Sequence, residues 1–127
     1  MKTKTFLAHG FVSLAGVSAA FASPDYGPAV DRMVTGCEKW WSSGYGHKFA
    51  VVHMMQGYYL SGIGWMRSCA NTVSAHYAVC SDGDDAPAGE ISQMVREYLY
   101  AWHATCWNQH SLGVEHEGFV SNPAWFT

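Results

Sequence analysis

Charged side chains are scarce in this sequence. Only 13% of the 127 residues are charged, whereas 49% are hydrophobic and 15% are aromatic. A chain this apolar is not disordered, and its length fits a single domain. Its seven Lys and Arg residues form no basic block, and ten Asp and Glu residues make the net charge −3. It therefore lacks the electrostatic footprint of a nucleic-acid-binding protein, and we expect neither DNA nor RNA as a partner.

No apolar run reaches the roughly 20 residues that a membrane-spanning helix needs. The N-terminus instead has the three parts of a secretory signal. Two lysines precede the apolar stretch 11–21, and Ala20-Phe21-Ala22 fits the small-x-small cleavage rule. We expect residues 1–22 to be a removed signal peptide, which makes the mature protein secreted or periplasmic with no transmembrane segment. A membrane anchor or a buried first helix is the alternative.

No two of the four cysteines form a C-x-x-C motif; they are Cys37, Cys69, Cys80 and Cys106. This spacing disfavours a structural zinc knuckle. In the oxidising compartment that an export signal implies, cysteines instead form disulfides. We expect one or two disulfides, and the sequence leaves their pairing open.

Residues 23–46 carry prolines, glycines and aromatics without a sustained period, which predicts an irregular lead-in with its aromatics on the surface. The domain itself is predicted over residues 47–127. Its first element is a buried strand at Phe49–His53, with the histidine at its end. Residues 58–68 then fit an amphipathic helix, because apolar side chains recur at i, i+4 and i+7 at Tyr59, Ile63 and Met66.

Three more strands are predicted, at Ser74–Cys80, Glu90–Arg96 and Ser111–Glu117. The polar, turn-rich loop 81–89 indicates an antiparallel connection between the first two. Residues 97–110 are predicted to form a short turn or helix and a loop. In the last strand, alternation places Leu112 and Val114 on one face and Glu115 and Glu117 on the other.

Two residues on predicted strands have the chemistry of a hydrolytic metal site. The imidazole of His53 can hold a metal, and the carboxylate of Glu115 can take a proton from metal-bound water. The alternatives are a core histidine and a solvated glutamate on a sheet face. Similarly, Trp102 and His103 suit a groove wall that stacks on a sugar, although a core tryptophan with a polar neighbour is the alternative.

Several segments occur in a characteristic order. They are Ala-Val-Val-His (50–53), Val-Ser-Ala-His-Tyr-Ala-Val (73–79), Glu-Ile-Ser-Gln-Met-Val-Arg-Glu (90–97), Ala-Trp-His-Ala (101–104), and Asn108 with Ser-Leu-Gly-Val-Glu-His-Glu-Gly (111–118). This series closely resembles the N-acetylmuramoyl-L-alanine amidase family, the zinc-dependent peptidoglycan amidases related to phage amidases and animal peptidoglycan-recognition proteins. The combination is more specific than any one segment, and it runs from about residue 47 to the C-terminus.

The resemblance implies a single α/β domain with a mixed central sheet flanked by helices. It also implies hydrolysis of the amide between N-acetylmuramic acid and L-alanine of the stem peptide, with peptidoglycan or muropeptides as partners and zinc as cofactor. His53 matches the first zinc ligand and Glu115 the carboxylate that acts on the bound water. His76 and Tyr77 match a supporting strand. The substrate groove is matched by Trp102, His103 and Asn108.

The chain departs from the family pattern in two places. After the first histidine it reads Met54-Met55-Gln56 where family members often have acidic residues. Members also have a later helix and strand that supply a second zinc histidine and a Cys or Asp ligand, and these have no counterpart before Thr127. We therefore expect a truncated domain that lacks the C-terminal helix and last strand, with an incomplete metal site and uncovered aromatics at Trp125 and Phe126. The alternative function is a non-catalytic muropeptide-binding module or an inactive fragment.

Overall fold

The computed structural model describes residues 23–42, 46–81 and 85–126. The predicted signal peptide lies outside these residues. The described elements, in chain order, are β1 (Val30–Asp31), β2 (Trp40–Ser42), β3 (Phe49–Met54), α1 (Tyr59–Arg67), β4 (Tyr77–Val79), β5 (Ile91–Gln93), β6 (Leu99–Ala101), a 3₁₀ helix at Thr105–His110, β7 (Ser111–His116) and a 3₁₀ helix at Pro123–Phe126. No helix in this described part is long and apolar enough to cross a membrane.

Five strands form the main sheet, in the order β1-β5-β4-β7-β3. The β1–β5, β4–β7 and β3–β7 pairs are parallel, and β4–β5 is antiparallel. This mixed sheet with helices in one small domain confirms the predicted α/β fold. The antiparallel β4–β5 pair also confirms the connection predicted from the polar loop between them.

The strand β3 was predicted to be buried, and this is wrong. It lies at the end of the strand order, where it pairs with β7 alone among the described strands. Its Val52 side chain is 68% exposed and Phe49 is 42% exposed. An apolar run predicts a strand but not the position of that strand in a sheet, and β3 has an open edge.

Helix α1 forms where the apolar spacing predicted it, and Tyr59, Ile63 and Met66 are its buried side chains. Gly62 has a packing reason to be in this helix, because a Cβ there would overlap the Met55 side chain. At the C-terminal end of the helix, the buried Lys39 ammonium donates to the carbonyl oxygens of Met66 and Ser68. Positive charge at this end of a helix is favourable.

The lead-in is more ordered than predicted, since it contains β1 and β2. It is joined to the segment after α1 by a disulfide between Cys37 and Cys69, which agrees with the expected one or two disulfides. Cys80 is a buried thiol and Cys106 an exposed one. The strand β2 pairs with β6 in a separate two-stranded sheet. The sequence did not predict β6, because a strand this short has no periodicity of its own.

Other aromatic side chains pack against Trp125 in the C-terminal segment. Trp125 lies over Gly118, and its ring is 6.1 Å from that of Phe119 and 6.4 Å from that of Tyr58, between centroids. Any Cβ at Gly118, which has φ +131°, would collide with Trp125. The expectation that Trp125 lacks a covering partner is therefore wrong, because the residues that cover it precede it in the sequence.

Candidate active site

An open cavity of about 510 Å³ lies beside α1 at one face of the main sheet. The turn 55–57 and α1 form one wall, and Trp102, His103 and Glu115 form the other. This volume is typical of small-molecule sites. Three of the residues predicted for the site thus line a single cavity, and His53 joins them through a direct contact with His103.

The strand register brings the two main candidates together. In the parallel β3–β7 pair, His53 is the direct partner of Glu115. Partners in a sheet project to the same face, so both side chains lie on the cavity side. The sequence alone could not show that they meet. His116, one residue further on, pairs with Met54 and belongs to the other face.

His53 and His103 contact each other, with 3.1 Å between His53 Nε2 and His103 Nδ1. His103 Nε2 lies 3.3 Å from the carbonyl oxygen of Ser111, which can only accept a hydrogen bond. We therefore assign the proton of His103 to Nε2, which leaves Nδ1 to accept from His53 Nε2–H. Burial lowers the pKa of both imidazoles, so the pair is neutral at neutral pH.

The carboxylate of Glu115 has no hydrogen bond or ion pair with any residue in the described ranges. Burial raises its pKa from 4.5 to about 7. A carboxyl group in this state exchanges a proton near neutral pH, which is the property required of a general base. Glu115 is half-buried at the cavity wall, so it is not the solvated glutamate of the alternative prediction.

Glu117, the residue that directly follows β7, has a structural role. It is fully buried, and its carboxylate accepts hydrogen bonds from the Tyr59 amide at 2.8 Å and the Ser81 amide at 2.9 Å. Although burial alone raises the pKa of Glu117, these amides hold it below its ordinary value. Its negative charge lies at the N-terminus of α1, where charge of this sign is favourable.

His76 supports the sheet beneath the site. It is fully buried, its Nδ1 accepts from the Gly113 amide at 2.9 Å, and its Nε2 donates to the Leu99 carbonyl at 3.0 Å. Burial lowers its pKa to about 4, so the ring stays neutral and keeps both bonds. His76 thereby joins β7 to the segment that carries Trp102 and His103.

Asn108 orients the His103 segment. Its Oδ1 accepts from the backbone amides of His103 at 3.0 Å and Ala104 at 2.6 Å. The resemblance predicted substrate binding for this residue, and its side chain does line a neighbouring cavity, but its oxygen is occupied within the protein. Trp102, also predicted for the groove, borders both cavities.

Sequence reasoning missed the importance of Gly113. The ring of His103 lies directly over it, and a Cβ at this position would be 2.5 Å from His103 Cγ. Only glycine leaves room for the ring. The glycine in the segment Ser-Leu-Gly-Val-Glu was the available signal, since a glycine inside a strand often marks such a close approach.

The donors at this site do not by themselves complete a metal site. Within residues 23–42, 46–81 and 85–126, no group of three or more His, Cys, Asp or Glu side chains could hold a metal ion. Catalytic zinc requires three protein ligands and a water. His53 and His103 supply two imidazoles, and they bond to each other.

The fold and cavity define a small α/β domain in which a proton-exchanging carboxylate lies beside two neutral histidines. A sequence model of the N-acetylmuramoyl-L-alanine amidase family matches residues 43–127, and the chain belongs to this family. N-acetylmuramoyl-L-alanine amidase A of Achromobacter lyticus is 41% identical over 68 residues. That match covers 54% of this chain and 36% of the relative, so the chain spans about a third of the relative's length. No solved structure matches significantly.

Proposed function

We propose that this chain is a peptidoglycan hydrolase that cleaves the amide between N-acetylmuramic acid and L-alanine of the stem peptide. The observation that carries this proposal is Glu115, a carboxyl group at a cavity wall with a pKa of about 7 and no protein partner in the described ranges. Family membership supports peptidoglycan amide hydrolysis as the reaction class.

In this proposal Glu115 is the general base. Ionised Glu115 takes a proton from the attacking water as the water oxygen bonds to the amide carbonyl carbon. The same carboxyl group then gives the proton to the amide nitrogen as the carbon–nitrogen bond breaks, which releases the free amine of the stem peptide. Trp102 and His103 line the wall against which the muramoyl group binds, and the hydrogen bonds of Asn108 and His76 hold that wall in position.

Zinc use is part of the proposal, with His53 as a ligand, because the family is generally zinc-dependent. A bound zinc ion supplies carbonyl polarisation and a lower pKa for its water. The residues of the described ranges do not fit a full zinc site. The steps given above are therefore assigned only to protein groups.

A specific observation favours a second candidate. The imidazoles of His53 and His103 form a hydrogen bond with each other, and the described part contains no set of three metal donors. A cavity of this kind suits a module that binds muropeptides without cleaving them. Both candidates require a substrate outside the cytoplasm, which agrees with the proposed signal peptide over residues 1–22 and a secreted or periplasmic location.

Cleavage of a defined muramyl tripeptide, followed by mass spectrometry of the released peptide, tests the proposal. The wild type should cleave it, with kcat/KM rising as the pH increases through about 7, because the base must be ionised. Glu115→Gln should lower kcat by about 10²- to 10⁴-fold, the usual contribution of a general base. Glu38→Gln is the matched control, since Glu38 is exposed and outside the cavity.

Equal activity in the Glu115→Gln variant and the wild type would refute the assigned base. Binding of the tripeptide without release of peptide would instead identify the chain as the binding module.

A further inference from the structure

A second cavity, of about 480 Å³, adjoins the first. The two cavities share Trp102 as a common wall. The other side chains around the second cavity are two aromatic rings and four neutral polar groups: Trp41, Tyr100, Thr72, Thr105, Asn108 and Gln109. A ligand in the first cavity and a ligand in the second therefore both lie beside Trp102.

The aromatic wall is held in place by the β2–β6 pair. Trp41 and Tyr100 are direct partners in this antiparallel register, and their rings meet edge to face with 5.8 Å between centroids. Trp41 is nevertheless 62% exposed, so its ring is available to a ligand. The preceding residue, Trp40, packs against the hydrophobic core instead, as expected from strand alternation.

The polypeptide just before Trp41 is anchored to the domain. Cys37 is disulfide-bonded to Cys69, and the buried Lys39 ammonium bonds to the end of α1. The Lys39 carbonyl accepts from the Ser74 hydroxyl, and that hydroxyl accepts from the Trp102 amide at 2.9 Å. The backbone two residues before Trp41 is thus linked to the Trp102 backbone through the Ser74 hydroxyl, and such anchoring limits the ordering cost of binding.

The lining chemistry favours a sugar. Among the residues that the structure describes, no side chain around the second cavity carries a charge. A stem peptide has carboxylates and amines beyond its first alanine, and these are usually bound by charge-assisted partners. An N-acetylhexosamine is neutral, offers an apolar ring face to an aromatic side chain, and exchanges hydrogen bonds with hydroxyl and amide groups.

We propose that this second cavity binds an N-acetylhexosamine of the glycan strand, next to the sugar held in the first cavity. The proposal rests on the function proposed above. Trp41 is its specific determinant, and this residue precedes the region matched by the family model, which begins at residue 43. The aromatic wall is therefore partly a property of this chain's own lead-in.

Isothermal titration with tri-N-acetylchitotriose tests the subsite. This probe contains N-acetylhexosamines but neither a lactyl group nor a peptide, so its binding does not depend on hydrolysis. We expect the wild type to bind it and Trp41→Ala to weaken binding about five- to tenfold, which corresponds to the loss of one aromatic contact. Tyr100→Ala is a second variant that removes the other ring. Circular dichroism checks the fold of each variant.

Trp107→Ala is the matched control. Trp107 is 55% exposed, similar to Trp41, but it packs against Phe49 and lies outside the second cavity. Its loss should leave affinity for the trisaccharide unchanged. Equal weakening by all three substitutions would overturn the proposal, as would unchanged affinity in folded Trp41→Ala and Tyr100→Ala variants.

The two proposals fail in different ways. A wild type that cleaves the muramyl tripeptide but does not bind the trisaccharide overturns the subsite alone. A wild type that binds the trisaccharide in a Trp41-dependent way supports the subsite, even if it leaves the muramyl tripeptide intact and so overturns the amidase proposal.

Discussion

Glu115 lies in β7 and Glu117 directly follows that strand, yet the protein shifts their pKa values in opposite directions. Burial without a partner in the described part raises the pKa of Glu115 to about 7. Glu117 is inaccessible to solvent, but the backbone amides of Ser81 and Tyr59 hold its pKa below the ordinary value. Hydrogen bonds from backbone amides therefore distinguish the structural glutamate from the proton-exchanging one.

This contrast predicts opposite effects of two similar substitutions on stability. Between pH 4.5 and about 7, native Glu115 keeps a proton that the unfolded chain has lost, so its contribution to stability falls as pH rises. Glu115→Gln removes this loss. The free energy of unfolding of the variant minus that of the wild type should therefore increase by about 1–3 kcal/mol from pH 5 to pH 8, measured by urea denaturation.

Glu117→Gln should instead destabilise the protein at neutral pH by about 1–3 kcal/mol, because two amide hydrogen bonds lose their charged acceptor. The lowered pKa of Glu117 means that its stabilisation is present above the unfolded pKa and is lost as pH falls through the folded pKa. The deficit should accordingly shrink in acid. A deficit that stays constant with pH would show that charge is not its origin.

Gly113 is predicted to set the position of His103. Gly113→Ala should force the imidazole off the strand and cost about 1–3 kcal/mol of stability, as overpacking does. The histidine NMR signals should report the broken contact with His53. Gly64→Ala is the control, since a Cβ there meets nothing within 4 Å and should stabilise α1 by about 0.5–1 kcal/mol. Unchanged histidine signals in Gly113→Ala would contradict the assignment.

Zinc binding is predicted to be weak and to depend on His53. Because zinc must compete with the His53–His103 hydrogen bond and finds no group of three donors in the described ranges, we expect elemental analysis to find little zinc after dialysis. Titration of zinc should still perturb the NMR signals of His53 and of its neighbour His103, and His53→Ala should abolish the effect on His103.

His116→Ala is the control for the zinc experiment, because His116 belongs to the opposite sheet face. Stoichiometric zinc that survives dialysis and disappears in His53→Ala would mean that further ligands complete the site.

The Cys37–Cys69 disulfide is predicted to stabilise the domain. It closes a loop with a sequence separation of 32 that contains β2, β3 and all of α1. Replacing both cysteines by serine should cost about 2–4 kcal/mol, measured by thermal unfolding. Cys106→Ser should have no such effect, since that thiol is exposed. A double variant as stable as the wild type would show that the lead-in is held by its other contacts.

Elements with a strong local signal were predictable from the sequence. Helix α1 was predicted correctly because Tyr59, Ile63 and Met66 recur at helical spacing and all face the core. The strands β2 and β6 were not, because each has three residues and its partner is far away in the sequence. Likewise, the apolar run at β3 identified a strand but could not show that it forms an edge.

In the candidate site, too, features with a local sequence signal were predictable and features that depend on distant residues were not. Residue type and resemblance predicted His53, Glu115, Trp102 and His103 as site residues, and the cavity and its adjoining contact bring these residues together. The register that pairs His53 with Glu115 has no local signal, because it depends on two strands from distant parts of the chain. The contribution of Asn108 was also not predictable, since its amide oxygen bonds to backbone groups whose positions only the fold determines.

The parallel pairing of β3 with β7 also determines when the site can exist. His53 and His103 are separated by 50 residues, and β3 has no described partner other than β7, which follows even later in the chain. Pairings of such long range form late in folding, after the intervening loops have closed. A partly synthesised or partly folded chain therefore has neither the histidine contact nor the carboxylate beside it, and the proposed chemistry requires the complete β3–β7 pairing.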